Sequence, residues 1–557
     1  MPRKMARKRI ATTGLVEKAD HANKEGFRSY HRDLKEEFLA VLMTNQMRDT
    51  FYAGAKDVSE DAINMHKEAI KQDINFYIKA LAYARNLGYA RLQPQIGLVN
   101  LSTQSLKEFR RAFKKVCLIP TDLKDFIDYS MAGIFRKGLG TGVKKGINNW
   151  LKLNLNEYYA LKYRTELRDA IRLARPSEKY LGPEKSRIID WIMEKENIDL
   201  KNYPQLTAFE ELKVANSLGD AGNEKVSELI KTGKLPHEIT TPFVRTPEHW
   251  KTLAMQMPYF ALVRHLNTLR RHGCFQDAKF TDAIVKKLTN EEIILKSKMY
   301  PFRFYSAYKM VSKMTREEWY PERDYSKVKR KGNMPIPEEF VPELTENIEE
   351  GEPPKTVEEF KGPIPDVIKD AIETAFKMSF KNIPEIKGKT AIAVDKSGSM
   401  EGKYLEAAAC LGLGLMMKAE KKGIIMFDDA IHVVPIYPDN PLKTIEEICN
   451  LEKGGTNLTL PVKYLLDNNL KVDNIVVISD MEEWQDEGFL DSFNKYKAKI
   501  NPNVRAFLVN VAPYRDYPAP SKAENIFVIG GWSENILNYI ALITTMKDQV
   551  KSIEDSS

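Results

Sequence analysis

Apolar residues recur at three- and four-residue spacing over most of residues 31–320. This period places them along one side of a helix. It is clearest in residues 34–47, 60–87, 106–117, 165–173, 185–195 and 247–270. Glycines and prolines separate these segments, which is typical of helix ends. The pattern therefore predicts a mainly α-helical part, built as a helical bundle or as an α-solenoid.

From residue 390 onward the pattern changes to short apolar runs that alternate with amphipathic stretches. The predicted strands are residues 390–394, 423–427, 432–436, 474–479, 504–511 and 525–529. The predicted helices between and after them are residues 403–421, 444–451, 460–466, 490–497 and 534–547. Strands that alternate with helices predict an α/β doubly wound, Rossmann-like domain with a mainly parallel sheet.

The 557 residues are more than one core usually holds, so we expect several domains. Residues 1–30 form a predicted flexible basic N-terminal arm, residues 31–385 the helical module and residues 386–557 the α/β domain. Within the helical module, residues 331–361 are rich in proline and glutamate. This composition predicts an acidic insertion with the character of a linker or long loop.

The formal net charge of +8 is unevenly distributed, because the helical part is strongly basic and the α/β part is acidic. A basic part of this kind suggests a polyanionic partner. No apolar run is long enough to span a bilayer, and the basic residues 1–10 are not followed by the apolar segment of a signal peptide. We therefore expect a cytoplasmic protein with no membrane partner.

The motif Asp395-x-Ser397-x-Ser399 follows a buried apolar strand directly. A glycine-rich turn carries Thr456, and a second apolar strand ends in Asp480. Since the carboxyl ends of parallel strands meet at one edge of a sheet, these oxygens can converge on one cation. Carboxylates and hydroxyls suit Mg²⁺ (or Mn²⁺). The alternative for the first motif is a serine-capped helix that follows a strand by chance.

This set of residues resembles the metal-ion-dependent adhesion site of von Willebrand factor A domains. The resemblance implies that the positions of Asp395, Ser397, Ser399, Thr456 and Asp480 hold the metal, directly or through water. It also implies an open coordination position that a carboxylate of an acidic partner can fill. An A-type fold with no metal in this site is the alternative. We predict no catalytic residue, since no positioned base or second metal cluster accompanies the motif.

Basic residues are concentrated in the helical part, at positions that we predict to contact RNA. They are Arg110, Arg111, Lys114, Arg136, Lys137, Lys144, Lys145, Lys162, Arg164, Arg168, Arg172, Arg175, Arg264 and His265. The four arginines from 164 to 175 are spaced four, four and three apart, which aligns them on one face of a continuous helix. Guanidinium groups suit phosphate contacts, and the aromatic residues at 150, 158, 159 and 163 could stack on unpaired bases. The alternative is a solvated charged face with the aromatics in the core.

The helical part resembles the TROVE-module Ro ribonucleoproteins, the family of the Ro autoantigen and its bacterial and phage relatives. The segments that carry this resemblance are residues 113–123, 142–150, 161–164, 173–176, 250–258 with 262–266, and 300–302. Their order and spacing, followed by an A-type domain, cover nearly the whole chain.

The resemblance implies a ring of HEAT-like helical repeats closed by the A-type domain. It implies small structured Y-like RNA on an outer basic surface, where Lys162, Arg164, Arg168 and Arg175 match the family's block, and single-stranded ends of misfolded non-coding RNA in the ring's hole. The chain departs from that block, which usually carries Gly-Trp-Ser-His and a histidine where Leu173 stands here.

These patterns and the resemblance together lead us to predict a non-enzymatic, monomeric RNA-binding component of a ribonucleoprotein that acts in RNA quality control or scaffolding. A nuclease, or an acidic protein ligand at the metal site, would be its protein partner. The alternative function is a protein-interaction adaptor, in which the A-type domain binds an acidic partner through the metal and the helices are scaffold.

Overall fold

The structure is a computed structural model that divides the chain into two compact units. One unit comprises Met1–Gly97 with Ile383–Ser557, and the other comprises Leu98–Asn382. The residues described are 21–22, 28–29, 33–44, 47, 55–314, 362–383, 385–419, 424–434, 437, 439–482, 488–511, 518–519, 523, 525–530, 536–537, 540, 550 and 553–554. Most of the predicted basic arm, the acidic insertion at 331–361 and most of the predicted helix 534–547 lie outside these residues.

The first described elements are two antiparallel strands of two residues each and four helices, the fourth of which continues past Gly97. The elements are β1 (His21–Ala22), β2 (Arg28–Ser29), α1 (Leu34–Thr44), α2 (Ala55–Gln72), α3 (Ile74–Asn86) and α4 (Leu92–Gln104). The periodicity over residues 60–87 predicted one helix, whereas the structure has a break at Asp73. Its carboxylate accepts hydrogen bonds from the backbone amides of Asn75 and Phe76 and so caps the start of α3.

The unit Leu98–Asn382 is built from α-helices and a few short 3-10 helices and has no strand among its described residues, in agreement with the predicted helical part. Its helices are α5 (Leu106–Val116), α6 (Pro120–Ala132), α7 (Thr141–Asn154), α8 (Glu157–Lys162), α9 (Arg164–Ala174), α10 (Glu178–Leu181), α11 (Pro183–Ile192), α12 (Pro204–Ser217), α13 (Asn223–Thr232), α14 (His237–Thr240), α15 (Pro247–Gln256), α16 (Tyr259–Arg271), α17 (Ala278–Leu288), α18 (Glu291–Ser297), α19 (Pro301–Met314) and α20 (Asp366–Ser379). Packing occurs mainly between helices close in sequence, such as α12 with α13 and α13 with α15. Neighbour-to-neighbour packing of this kind is typical of stacked helical arrays.

The segment 247–270, predicted as one periodic stretch, is divided into α15 and α16 at Met257 and Pro258. A residue before proline is pushed out of the helical region, so α15 ends there. The ammonium of Lys287 donates to the carbonyls of Ala254, Met255 and Met257 at 3.2, 2.7 and 3.0 Å. A lysine from α17 thereby satisfies backbone carbonyls that are left without helical partners at the end of α15.

The α/β part contains a six-stranded sheet whose strands lie within two residues of their predicted bounds. In chain order it comprises β3 (Thr390–Asp395), α21 (Lys403–Lys418), β4 (Ile424–Phe427), β5 (Ile431–Val434), α22 (Pro441–Asn450), α23 (Thr459–Asp467), β6 (Asn474–Ser479), α24 (Phe489–Lys499), β7 (Arg505–Asn510) and β8 (Ile526–Gly530). The strand order is β5-β4-β3-β6-β7-β8, and only β5 is antiparallel to its neighbour. The predictions of a helical first part and a doubly wound α/β second part are confirmed.

Helices cover both faces of this sheet. On one face α23 and α24 pack on Ala393, Phe427 and Val477, all almost fully buried. On the other face α21 packs on β3, where a Cβ on Gly412 would lie only 2.8 Å from a methyl carbon of Val394. Because helices pack on both faces, β3 is held in place, and so is its carboxyl end.

The compact units group the residues differently from the boundaries predicted at 30 and 385. Helix α1 packs against β8, and Lys35 on α1 forms an ion pair with Glu554 at 2.6 Å. The domain boundaries and the closed ring stay predictions. Among the described residues, no helix has the length and apolarity needed to cross a membrane.

A histidine is fully buried among the first four helices. Its ring contacts the ring of Phe38 edge-on, Nδ1 of His66 lies 2.7 Å from the Tyr77 hydroxyl, and Nε2 lies 3.0 Å from Oε1 of Gln93. Both ring nitrogens thus lie within hydrogen-bond distance of a polar side chain, and the Tyr77 hydroxyl also donates to the Gly97 carbonyl at 3.2 Å. Burial lowers the pKa of His66 to about 4.

We predict that these helices lose stability in acid through His66. The pKa is about 4 in the folded protein and near 6.5 when unfolded, so the stabilisation is complete above pH 6.5 and is lost as the pH falls towards 4. The loss amounts to about 3 kcal/mol for a shift of this size. Hydrogen exchange of the α2 and α3 amides across this pH range measures it. A His66→Gln variant should show a flatter pH dependence; an equal dependence in both proteins would contradict the prediction.

Candidate metal centre and candidate nucleic-acid interface

The carboxylate of Asp395, the last residue of β3, is fully buried. Its Oδ1 accepts a hydrogen bond from the backbone amide of Ser397 at 2.8 Å, and its Oδ2 accepts one from the Ser479 hydroxyl at 2.5 Å. Burial, together with the negative charge of Asp480, raises the pKa of Asp395 to about 7. The carboxylate is therefore held in place by neutral donors, in surroundings that oppose its negative charge.

The structure brings the other four predicted metal ligands to the same edge of the sheet. The hydroxyls of Ser397 and Ser399 lie 3.2 Å apart, and Asp480 directly follows β6, which pairs with β3. The turn before Thr456 reaches this edge because the backbone amide of Gly398 donates to the carbonyl of Gly454 at 3.1 Å. Thr456 and Asp480 are only 2% and 3% exposed. Asp395, the two serines and Asp480 thus lie at one edge of the sheet, as the strand topology predicts, and the turn that leads to Thr456 is hydrogen-bonded to the serine loop.

This donor set fits a hard divalent cation. Two carboxylates and three hydroxyls are oxygen ligands of the type that Mg²⁺ and Mn²⁺ prefer. A cation between Asp395 and Asp480 would relieve the unfavourable approach of two buried carboxylates. The described residues contain no group of three or more His, Cys, Asp or Glu side chains placed to hold a metal ion, so the candidate depends on the hydroxyls.

Helix α5 has a basic face on the helical unit. Phe109, Ala112 and Phe113 are buried, whereas the predicted residues Arg110, Arg111 and Lys114 are exposed. Lys107 lies on the same exposed face, three and four residues before the two arginines. These four cations form a surface suited to phosphate groups, although Arg111 also pairs with Glu108 at 3.5 Å.

The basic residues around α7 divide into two kinds. The guanidinium of Arg136 is half-buried and donates to the Gly138 carbonyl and the Ser102 hydroxyl, both at 2.9 Å. Lys137 and Lys145 are exposed, and Lys144 is half-buried. Arg136 therefore holds the loop before α7, which its sequence position beside glycines did not reveal.

The predicted row of four arginines is shorter in the structure. Helix α9 ends at Ala174, and Arg175 adopts a left-handed conformation with φ of 48°, so it leaves the helix face. Arg164 and Arg168 both face Glu194, at 3.5 and 2.8 Å.

Arg164 also lies over the Trp191 ring, 4.2 Å from its centroid, and donates to the Trp191 carbonyl at 2.8 Å. These contacts, with those to Glu194, give it a structural role. Arg172 and Arg175 remain exposed.

The four aromatic residues considered for base stacking also divide. Trp150 is buried and donates from Nε1 to the Cys117 carbonyl at 2.7 Å, and Tyr159 stacks on its ring. Tyr163 is half-buried, while Tyr158 is 40% exposed. Only Tyr158 presents a largely open ring.

Lys162 lies beside this open tyrosine ring but is engaged within the protein. Its ammonium pairs with Glu238 at 2.7 Å and donates to the Tyr158 hydroxyl at 3.2 Å. Although burial opposes it, the hydrogen bond with Glu238 raises the pKa of Lys162. His237 also approaches Glu238, at 3.1 Å, and its ring meets that of His265 edge-on with centroids 5.5 Å apart. Burial lowers the pKa of His237.

Phe260 on α16 is an exposed aromatic between two arginines. The guanidinium carbons of Arg264 and Arg303 lie 5.7 and 5.0 Å from its ring centroid. Arg264 is exposed and makes no ion pair with any described carboxylate, while the adjacent His265 donates from Nδ1 to the Ala261 carbonyl. We call the following set the basic–aromatic surface: Lys162, His237, Phe260, Arg264, His265 and Arg303.

Three members of this surface, His237, Phe260 and Arg303, were not predicted from the sequence. The sequence pattern does indicate that Phe260 is exposed, because it is out of phase with the buried stripe of α16 that contains Leu262, Val263 and Leu266. No sequence pattern indicates Arg303, since it lies on α19, which packs on α16 only in the folded chain.

The fold defines a protein with a stacked helical module and a von Willebrand factor A domain, with the candidate metal centre at the carboxyl end of β3. A TROVE domain model matches residues 241–388, and a Ro60 vWA domain model matches residues 389–542, so the two matches together span more than half of the chain. The chain belongs to the Ro family of TROVE-domain proteins.

Relatives and a solved structure agree with this membership. Proteins named RNA-binding protein RO60 are 22% identical to the chain in Caenorhabditis elegans, over 75% of the chain and 69% of the relative, and in Deinococcus radiodurans, over 78% of each. The crystal structure of the Deinococcus radiodurans Ro (RSR) protein has a TM-score of 0.66 at 18% identity, and covers 92% of this chain and 99% of that one. At this identity the structural likeness concerns the fold.

Proposed function

We propose that the chain is the RNA-binding component of a ribonucleoprotein, and that its helical unit holds the RNA. The names of its relatives and its family membership support RNA as the partner. The observation that carries the proposal is Phe260, an exposed ring placed between two guanidinium groups. An unpaired base can stack on such a ring while the arginines hold adjoining phosphates.

The two basic regions suggest two kinds of RNA. The exposed row on α5 offers cations without exposed aromatic rings between them, which suits the backbone of a small structured, Y-like RNA. The basic–aromatic surface offers a ring for stacking and suits single-stranded ends, such as those of misfolded non-coding RNA. A protein with both would scaffold or monitor such RNA without cleaving it.

We also propose that the A domain binds Mg²⁺ or Mn²⁺ through Asp395, Ser397, Ser399, Thr456 and Asp480. Such a cation would supply positive charge and an open coordination position for a carboxylate of an acidic protein partner, such as a nuclease acting on the same RNA. The buried oxygens that converge at the end of β3 support this proposal. They also support the second candidate function, an adaptor in which this interaction is the main activity and the helices are scaffold.

Substitution of Phe260 tests the single-strand proposal. Phe260→Ala is expected to weaken binding of a labelled single-stranded RNA about tenfold, because base–aromatic stacking is lost. Phe260→Trp should retain the affinity, since it keeps a ring. Tyr89→Ala, which removes a 67% exposed ring in the other unit, is the matched control and should have no effect. Equal loss in the control, or no loss in Phe260→Ala by fluorescence anisotropy, would refute this role.

Arg264→Gln tests the phosphate contact separately. It should lower the slope of log affinity against log salt by about 0.7 for single-stranded RNA, the value for one phosphate contact. The slope for a fully paired hairpin should not change. An unchanged slope with single-stranded RNA would place Arg264 outside the interface.

Asp395→Asn tests the metal site and separates it from RNA binding. The substitution keeps the shape and acceptor oxygen of the side chain but removes its charge, so Mn²⁺ affinity by calorimetry should fall by at least about tenfold. RNA affinity should stay within about twofold, because the RNA contacts lie on other residues. The adaptor function would be favoured if the variant lost an acidic protein partner while the wild-type protein bound no RNA.

A further inference from the structure

Lys396, between two proposed metal ligands, is 1% exposed. Its ammonium forms an ion pair with Asp428, which is 3% exposed, and donates to the Glu452 carbonyl at 2.5 Å. A lysine is rarely buried unless it is paired. Asp428 is placed to pair with it, because its Oδ1 accepts from the Ala430 amide at 2.9 Å.

This ion pair lies where three loops of the site meet. The backbone amide of Lys396 donates to the Phe427 carbonyl, and the amide of Asn457 donates to the Asp428 carbonyl, both at 2.9 Å. A Cβ on Gly454 would lie 2.8 Å from Oδ1 of Asp429 and 3.0 Å from Oδ2 of Asp428, so a larger residue here would require these carboxylates to move. The loops that carry Ser397 and Thr456 are thus packed around one buried pair of charges.

The pair also decides the charge beside the site. An unpaired ammonium next to Asp395 would oppose a divalent cation, whereas an unpaired carboxylate would attract one. We infer that the buried Lys396–Asp428 pair positions the metal-site loops while cancelling its own charge, which leaves the charge of Asp395 and Asp480 to the cation. This inference depends on the proposed metal binding. It makes Lys396 and Asp428 positioning residues.

The charges predict opposite effects from the two single substitutions. Asp428→Asn leaves the ammonium unpaired beside the site and should weaken Mn²⁺ binding about tenfold or more. Lys396→Met leaves the carboxylate and should bind Mn²⁺ at least as tightly as the wild-type protein. The double variant, which has neither charge, should return to within about threefold of wild-type affinity. Binding is measured by counting bound Mn²⁺ with electron paramagnetic resonance at one fixed pH.

A second ion pair supplies the matched control. Lys453 and Glu401 join the same two loops at 2.5 Å, but Glu401 is 70% exposed. Glu401→Gln should change Mn²⁺ affinity by less than about threefold, because exposed charges are screened. The melting temperature of each variant in a chelator reports whether the domain has folded.

The outcomes separate the inference from the metal proposal. No Mn²⁺ binding by the folded wild-type protein overturns the proposed metal site. Wild-type binding with Asp428→Asn unchanged, or with both single substitutions weakened and no recovery in the double variant, overturns the charge cancellation alone. Opposite effects that cancel in the double variant support it.

Discussion

The buried carboxylate of Asp395 is the constraint on which the edge of the sheet depends. It lies at the end of a central strand with no exposure to solvent, and its hydrogen bonds come from a backbone amide and a hydroxyl. A second carboxylate, that of Asp480, directly follows the neighbouring strand β6. It lies at the same edge of the sheet as Asp395 because β3 and β6 run parallel. Burial of two like charges is unfavourable. The proposed cation would offset these two charges.

The neighbouring lysine illustrates how the chain arranges charge around this constraint. The ammonium of Lys396 is next to Asp395 in sequence, yet it is directed to Asp428 and to a backbone carbonyl. Although burial opposes it, this ammonium holds the pKa of Asp428 below its usual range. The ion pair is therefore kept separate from the oxygens of the site, and the loops that carry those oxygens are packed around it.

The helical unit separates its charges in a comparable way. Arg164 and Arg168 are engaged with Glu194, and Lys162 with Glu238, so part of their charge is used within the protein. Arg110, Lys114 and Arg264 are exposed to a polyanion at the surface, and Arg111 is exposed as well but pairs with Glu108 at 3.5 Å. Net charge alone does not distinguish basic residues in internal ion pairs from basic residues exposed at the surface. The positions most useful for binding RNA are the exposed ones.

These examples show which features the sequence predicts and which it does not. Apolar runs of β-branched residues placed the strands within two residues, and the parallel pairing of β3 with β6 then put Asp395 and Asp480 at one edge of the sheet. The breaks at Asp73 and Met257 were missed because the apolar period continues across them. The ion pairs of Glu194 and the contact of Arg303 with the Phe260 ring could not be predicted either, since these residues reach their partners only through tertiary packing.

The most direct test of RNA binding by the helical unit is photo-crosslinking of the whole chain to a single-stranded RNA containing 4-thiouridine, followed by mass spectrometry. Our account predicts crosslinked peptides within residues 98–382, concentrated around α8, α16 and the start of α19, and unchanged when a chelator is present. Crosslinks confined to residues 389–542, or abolished by the chelator, would contradict it.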